Sequence, residues 1–223
     1  TGCGQTAGRE ESPNPDEPAR EEVVLEDEAV ALAAGPAALN DLLLPEASGT
    51  LTKKNDQAVI DYSHTEDGYV MVRYTASTTK RLKVLVKGPV TADAYQYNLT
   101  AGEWTTLPLS DGNGSYRVTV YENVTGTKYA EVLSLTTSVS LKDEFAPFLR
   151  PNQYVDYAQA ENTVAKAEEL TQGVTDPLKQ VEKIYEFVVN SLTYDKEKAA
   201  SVKSGYLPVL DDVLKAKTGI CFD

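Results

Sequence analysis

Histidine is almost missing from this sequence: the 223 residues contain one, His64. Methionine and tryptophan also occur once each, and cysteine twice, at Cys3 and Cys221. These shortages exclude several functions. One histidine and two cysteines at opposite ends of the chain cannot supply the ligand set of a structural zinc site. Two cysteines cannot build a disulfide framework, and a bridge between them would only staple a tail to a domain. No run approaches the roughly 18 apolar residues that span a bilayer. Basic residues are also scarce, with 21 Lys and Arg against 34 Asp and Glu, a net charge of −13. Nucleic-acid binding needs clustered cations to replace phosphate counterions. No nucleic-acid partner, cofactor or metal is expected.

The charge is unevenly distributed. Residues 4–31 carry nine acids against Arg9 and Arg20, so this segment alone supplies −7. It is rich in Pro and Glu, nearly free of apolar side chains until about residue 22, and unable to bury enough surface to fold. The stretch Thr1-Gly2-Cys3-Gly4 resembles the end of a bacterial lipobox. That resemblance implies a lipid on Cys3, a membrane partner through that anchor, and residence on the outer face of the bacterial cell membrane. An ordinary frayed terminus is the competing reading. Residues 22–44 are apolar enough for a short amphipathic segment, interrupted by Gly35-Pro36. Residues 1–45 are therefore read as a tether.

From 46 to 145 the hydrophobic period is two. Val70, Val72 and Tyr74 alternate with Tyr69, Met71 and Arg73. Leu82, Val84 and Val86 alternate with Lys83, Leu85 and Lys87, and Tyr116, Val118 and Val120 with Arg117, Thr119 and Tyr121. Turn residues punctuate these β-branched and aromatic runs. About seven strands with turns roughly every ten residues indicate an antiparallel sandwich of immunoglobulin-like type. Within it, Tyr116 follows a Gly-rich turn as the tyrosine of a tyrosine corner does, and its hydroxyl is expected to bond upstream backbone.

Several motifs here are decoys. Asp111, Asn113, Ser115 and Glu122 mimic the spacing of a calcium loop, but Tyr116 stands where the turn needs glycine. Three Asn-x-Ser/Thr sequons, at Asn98, Asn113 and Asn123, fall at predicted turns, where those residues are common anyway. His64 lies in a predicted strand end and reads as a surface residue rather than a catalytic base.

Residues 146–223 switch to helical period. Thr175-Asp176-Pro177 is a helix start, with a capping side chain and a proline in the first turn. Leu178, Val181, Tyr185, Val188 and Leu192, with Ile184 beside them, form one apolar stripe over about four turns. A weaker helix is expected over 157–172. A short one starts at Pro208, with Leu210, Val213 and Leu214 as its buried face and Gly219 as its stop.

Thr193-Tyr194-Asp195, then Asp211 to Lys217, then Gly219-Ile220-Cys221-Phe222-Asp223, resemble in order and spacing the start of the core of bacterial transglutaminase-like proteins. The resemblance implies the helical N-terminal part of a transglutaminase-like α+β domain, with Cys221 as nucleophile at the first turn of a helix. Unpaired N–H groups and the macrodipole favour the thiolate there. The implied activity is acyl transfer or hydrolysis of a protein or peptide amide through a Cys thioester. In the family the histidine and the Asp or Asn of the triad follow the cysteine, and here they do not. These 223 residues alone are expected to be inactive. The competing reading is a non-catalytic cell-surface lipoprotein whose sandwich is a binding or spacer module.

Overall fold

The computed structural model describes residues 42–223. Cys3, the acidic tether and nearly all of the 22–44 segment lie outside the described residues.

Eight strands occupy the first part: β1 (Thr52–Lys54), β2 (Ala58–Asp61), β3 (Tyr69–Tyr74), β4 (Leu82–Lys87), β5 (Tyr95–Leu99), β6 (Trp104–Pro108), β7 (Gly114–Thr125) and β8 (Lys128–Val139). They form two four-stranded antiparallel sheets, ordered β1-β2-β3-β6 and β5-β4-β7-β8. Successive side chains of a strand point to opposite faces. In β4 this puts Leu82, Val84 and Val86 inward and Lys83, Leu85 and Lys87 outward. Opposite them, β3 contributes Val70, Val72 and Tyr74, and β2 contributes Ile60, to the same apolar core. At about 1.5–3 kcal/mol per fully buried large apolar side chain, this core is the main source of stability.

β3 departs from simple alternation, because Tyr69 and Met71 on its other face are buried too. That face is covered. Arg150 lies over the Tyr69 ring at 4.9 Å, His64 stacks on it at 5.2 Å, and the Tyr69 hydroxyl meets Glu46 backbone. Gly68 makes the close approach possible. A Cβ there would lie 2.5 Å from the Pro147 nitrogen, and its φ of +82° favours glycine in any case.

The Tyr116 hydroxyl does reach upstream backbone. It accepts from the Asp111 N–H at 2.8 Å and faces the carbonyls of Leu109 at 3.0 Å and Gly112 at 2.9 Å. Burial pushes its pKa up to about 12, so it stays a donor across the ordinary pH range. Asp111, the first residue of the calcium-loop decoy, instead closes a neighbouring loop, accepting from the N–H groups of Val90 (2.7 Å) and Thr91 (2.8 Å). The sequon asparagines are likewise engaged. Asn113 accepts from the Leu141 N–H, and Asn123 donates to Gly126 and Lys128 carbonyls.

The second part holds α1 (Glu161–Thr171), α2 (Pro177–Ser191), α3 (Lys196–Ser201) and α4 (Leu210–Ala216). Two-residue strands β9 (Thr193–Tyr194) and β10 (Thr218–Gly219) pair in parallel. Asp176 caps α2 through the Leu178 and Lys179 N–H groups, as Thr175-Asp176-Pro177 suggests. The apolar stripe of α2 is real but only partly covered. None of its residues is buried, and Leu178, Val181 and Tyr185 are 80%, 63% and 66% exposed. Inside the α1–α2–α4 group, Leu170, Ile184, Phe187 and Leu214 line a cavity of about 170 Å³. These helices are loosely packed, whereas the sheets are tightly packed.

Two corrections apply to α4. It begins at Leu210 rather than Pro208, and it stops because Lys217 adopts the left-handed conformation at φ 55°, not because of Gly219.

Tyr116→Phe tests the corner. It leaves the Asp111 N–H without its acceptor, at a cost of about 1–3 kcal/mol. Urea unfolding should show a lower midpoint with an unchanged slope.

Candidate functional site: the Cys221 turn

The chain reaches Cys221 through β10. Thr193 N–H donates to the Lys217 carbonyl at 2.9 Å and Asp195 N–H to the Gly219 carbonyl at 2.7 Å. The Thr193-Tyr194-Asp195 motif thus has a mechanical role: its first two residues pair with the strand before the cysteine. Its third caps α3, accepting from the Lys198 N–H at 2.8 Å.

Residues 220–223 form a single turn. The Asp223 N–H donates to the Ile220 carbonyl at 3.0 Å, and the Asp223 carboxylate accepts from the Ile220 N–H at 2.8 Å. The carboxylate bond is one half of a capping box, the third residue's side chain reaching back to the cap N–H, while the Asp223 N–H goes to the Ile220 backbone carbonyl because isoleucine has no side-chain acceptor. Cys221 occupies the intervening first-turn position, exposed and with a free thiol.

Asp223 is the pivot. Its side chain is 1% exposed and also receives the Lys198 ammonium at 2.6 Å and the Tyr206 hydroxyl at 2.5 Å. Burial alone would raise this carboxyl. The hydrogen bonds from Lys198, Tyr206 and Ile220, with the Lys198 charge, outweigh it and hold the pKa below the usual carboxylate range. The Lys198 ammonium is held above its usual range chiefly by its bond to Asp223. It also sits 4.6 Å over the Tyr206 ring. Gly219 serves this packing rather than a turn: a Cβ there would lie 3.1 Å from the Asp223 side chain.

Aromatic contacts tie the turn to the sheets. Phe222 packs against Tyr154 (5.9 Å) and Tyr206 (6.2 Å), and Tyr154 packs against Tyr97 of β5 (5.3 Å). Gln153 secures the same seam, bonding both the N–H and the carbonyl of Asn98.

A second carboxylate braces the helices. Asp211 in α4 accepts from the backbone N–H and side chains of Asn162 and Thr163, capping α1, which has no cap of its own. Burial works to raise its pKa, but the bonds from Thr163 and Asn162 win and bring it to about 2. Neither carboxylate role shows in the linear sequence, since each partner lies about 17–50 residues away except Ile220. The half capping box is hidden because isoleucine, not Ser or Thr, fills the cap position.

His64 is not brought to the thiol. It is half-buried, bonds the Asp67 carboxylate at 3.0 Å and stacks on Tyr69. Among the described residues no cluster of His, Cys, Asp and Glu could hold a metal ion.

Comparison with known proteins agrees with the motif. Residues 164–223 match the transglutaminase-like superfamily. The matched segment begins inside α1 and contains α2, the β9–β10 pair, both bracing carboxylates and Cys221. No curated protein and no solved structure gives a significant match.

Two outcomes are expected for the superfamily segment. Asp223→Ala should release the turn, raising amide exchange at Ile220 and Lys217 by about tenfold or more, while β3 and β4 stay protected. A depressed carboxylate contributes stability that is complete above its unfolded value and lost as pH falls through its folded value. The α1 cap at Asp211 should therefore hold down to about pH 2. In an acid titration followed by NMR, the Asn162 and Thr163 amides should shift near pH 2, not near the ordinary 3.8.

Proposed function

We propose that residues 164–223 are the nucleophile-bearing portion of a transglutaminase-like cysteine enzyme acting on protein or peptide amides. The superfamily match over the segment that carries Cys221 on an exposed turn is the observation that supports this reading. In the proposed chemistry the Cys221 thiolate forms a bond to the amide carbonyl carbon, and the carbonyl electron pair moves to oxygen. The Cys221 backbone N–H is suited to stabilise that oxyanion. Collapse expels the amine, which takes up a proton, and leaves a thioester. Water or a second amine then releases the acyl group.

The proton transfers need a base. His64, the sole histidine, is occupied by Asp67 and Tyr69, and so is not suited to that role. We therefore read the 223 residues by themselves as lacking turnover. The two-sheet unit is read as an immunoglobulin-like sandwich, supported by the Tyr116 corner, and as a presenting or spacing element. The lipobox-like Thr1-Gly2-Cys3-Gly4 supports a lipid anchor at Cys3 and residence on the outer face of a bacterial membrane. The commitment of His64 elsewhere equally favours a second reading, a non-catalytic surface lipoprotein whose sandwich binds or spaces.

The two readings separate on the thiol. In a Cys3→Ser background, Cys221 should react with iodoacetamide at pH 6 at least about tenfold faster than a cysteine in an unstructured peptide. An equal rate would leave only the non-catalytic reading. Glutamine-peptide deamidation or amine transfer by the chain should not exceed that of Cys221→Ala. Turnover abolished by that substitution would refute the need for a further base.

A further inference from the structure

The outer face of the β5-β4-β7-β8 sheet carries a cleft of about 750 Å³, within the ~300–1,000 Å³ range of small-ligand sites. It is separate from Cys221, and its ligand preference is independent of the proposed chemistry. Its floor comes from side chains that alternation turns away from the core. Asn98, Lys83 and Tyr121 stand side by side across β5, β4 and β7, and Leu85 and Gln96 form the next row. Tyr129 of β8 and Arg81, just before β4, close one end. Ser204 and Gly205, from the loop between α3 and α4, overhang the other, held by a bond from the Asn98 amide to the Gly205 carbonyl.

The charge pattern is unusual for a chain of net charge −13. Two neighbouring cations are neutralised, Lys80 by Glu122 and Arg117 by Glu131, while Lys87 is taken up by the Thr91 and Ala92 carbonyls. Among the described residues, Arg81 and Lys83 have no carboxylate within 4.0 Å, and both flank the Tyr129 ring, at 5.9 and 5.7 Å. Arg81 is steadied by a bond to the Gly126 carbonyl of the β7–β8 turn. Two cations, Arg81 held in place and Lys83 beside the Tyr129 ring, therefore stand by tyrosine rings and side-chain amides in an open trough.

We infer that this cleft binds a short acidic oligosaccharide, with a sugar carboxylate between Arg81 and Lys83, a pyranose face on Tyr121, and hydroxyls on Gln96 and Asn98. Carboxylates are the natural partners of unpaired Arg and Lys, whose charge-assisted bonds are the strong ones. An amphipathic ring stacked beside amides suits a sugar, which presents an apolar face and a polar rim. An acidic peptide is the less suitable occupant. Extended peptides dock by adding to a strand edge, and the β5 edge beside the cleft is already sealed by Gln153 and by the Tyr154 hydroxyl on Gln96.

The test is calorimetric titration of the whole chain with trisaccharides of galacturonate, mannuronate and guluronate, with neutral galactotriose and hexaglutamate as contrasts. At least one uronate trimer should bind saturably and weaken with added salt, and galactotriose should bind at least about tenfold more weakly. Lys83→Gln and Arg81→Gln should each lower affinity about tenfold or more, the loss of one charge-assisted bond. Lys83→Arg should retain binding, which separates loss of charge from loss of fold. Tyr121→Phe should bind like the parent, and Tyr121→Ala should not. The inference is overturned if no uronate trimer binds, if the charge substitutions leave affinity unchanged, or if hexaglutamate displaces the sugar at equal or better affinity.

Discussion

The arrangement around Cys221 rests on one buried carboxylate. Asp223 collects the Lys198 ammonium, the Tyr206 hydroxyl and the Ile220 N–H, drawing α3, the loop before α4 and the final turn to one point. Burying an ion this deeply is costly unless every oxygen is satisfied. Here each is: Oδ2 receives Lys198 and Ile220, and Oδ1 receives Tyr206. The geometry of the thiol is thus set by a polar network rather than by a hydrophobic core. Such a network specifies one arrangement while complete and fails as a unit when a member is lost.

That polar control matters because the surrounding helices bury so little. The sheets hold their core with fully buried Val70, Val84, Val118 and Leu107. By contrast, Val213 is the sole buried apolar residue in α4, and α2 has none. What orders the helical part is a set of carboxylate caps, Asp176 on α2, Asp195 on α3 and Asp211 on α1. The aromatic ladder Tyr97–Tyr154–Phe222–Tyr206 adds to them. Through that ladder the stiff sheets lend rigidity to a turn that α1, α2 and α4 could not hold alone.

How much the sequence revealed depends on the range of the interactions. β4 was legible because one of its faces is core and the other is not, so apolar and polar residues alternate. β3 blurs that signal, since its outer Tyr69 and Met71 are covered by parts of the chain distant in sequence. The α2 start was legible because Asp176 caps its own helix two and three residues on. α3 passed unnoticed, because Lys196–Ser201 is too short and polar to show a stripe. The β9–β10 pair joins two-residue strands over 20 residues apart, which no local pattern can show. At the site, the motif located Cys221, but Asp223 and Asp211 act through long-range partners. Gly219 was read as the stop of α4, whereas it provides space for Asp223.

The uncovered stripe on α2 bears on how the thiol could work. Leu178, Val181 and Tyr185 keep the helical period of a buried face, yet remain largely in water beside the cavity under Ile184 and Phe187. Exposing that much apolar surface is unfavourable at about 25 cal/mol per Å², so an element that covers it would gain free energy by docking. The Cys221 turn belongs to the same superfamily segment, and Asp223 itself lines the apolar cavity. A covering element would thus dry the surroundings of the turn as it docks. Lower dielectric strengthens the ion pair and hydrogen bonds of the Asp223 network. On this argument, covering α2 and tightening the Asp223 network are one structural event rather than two.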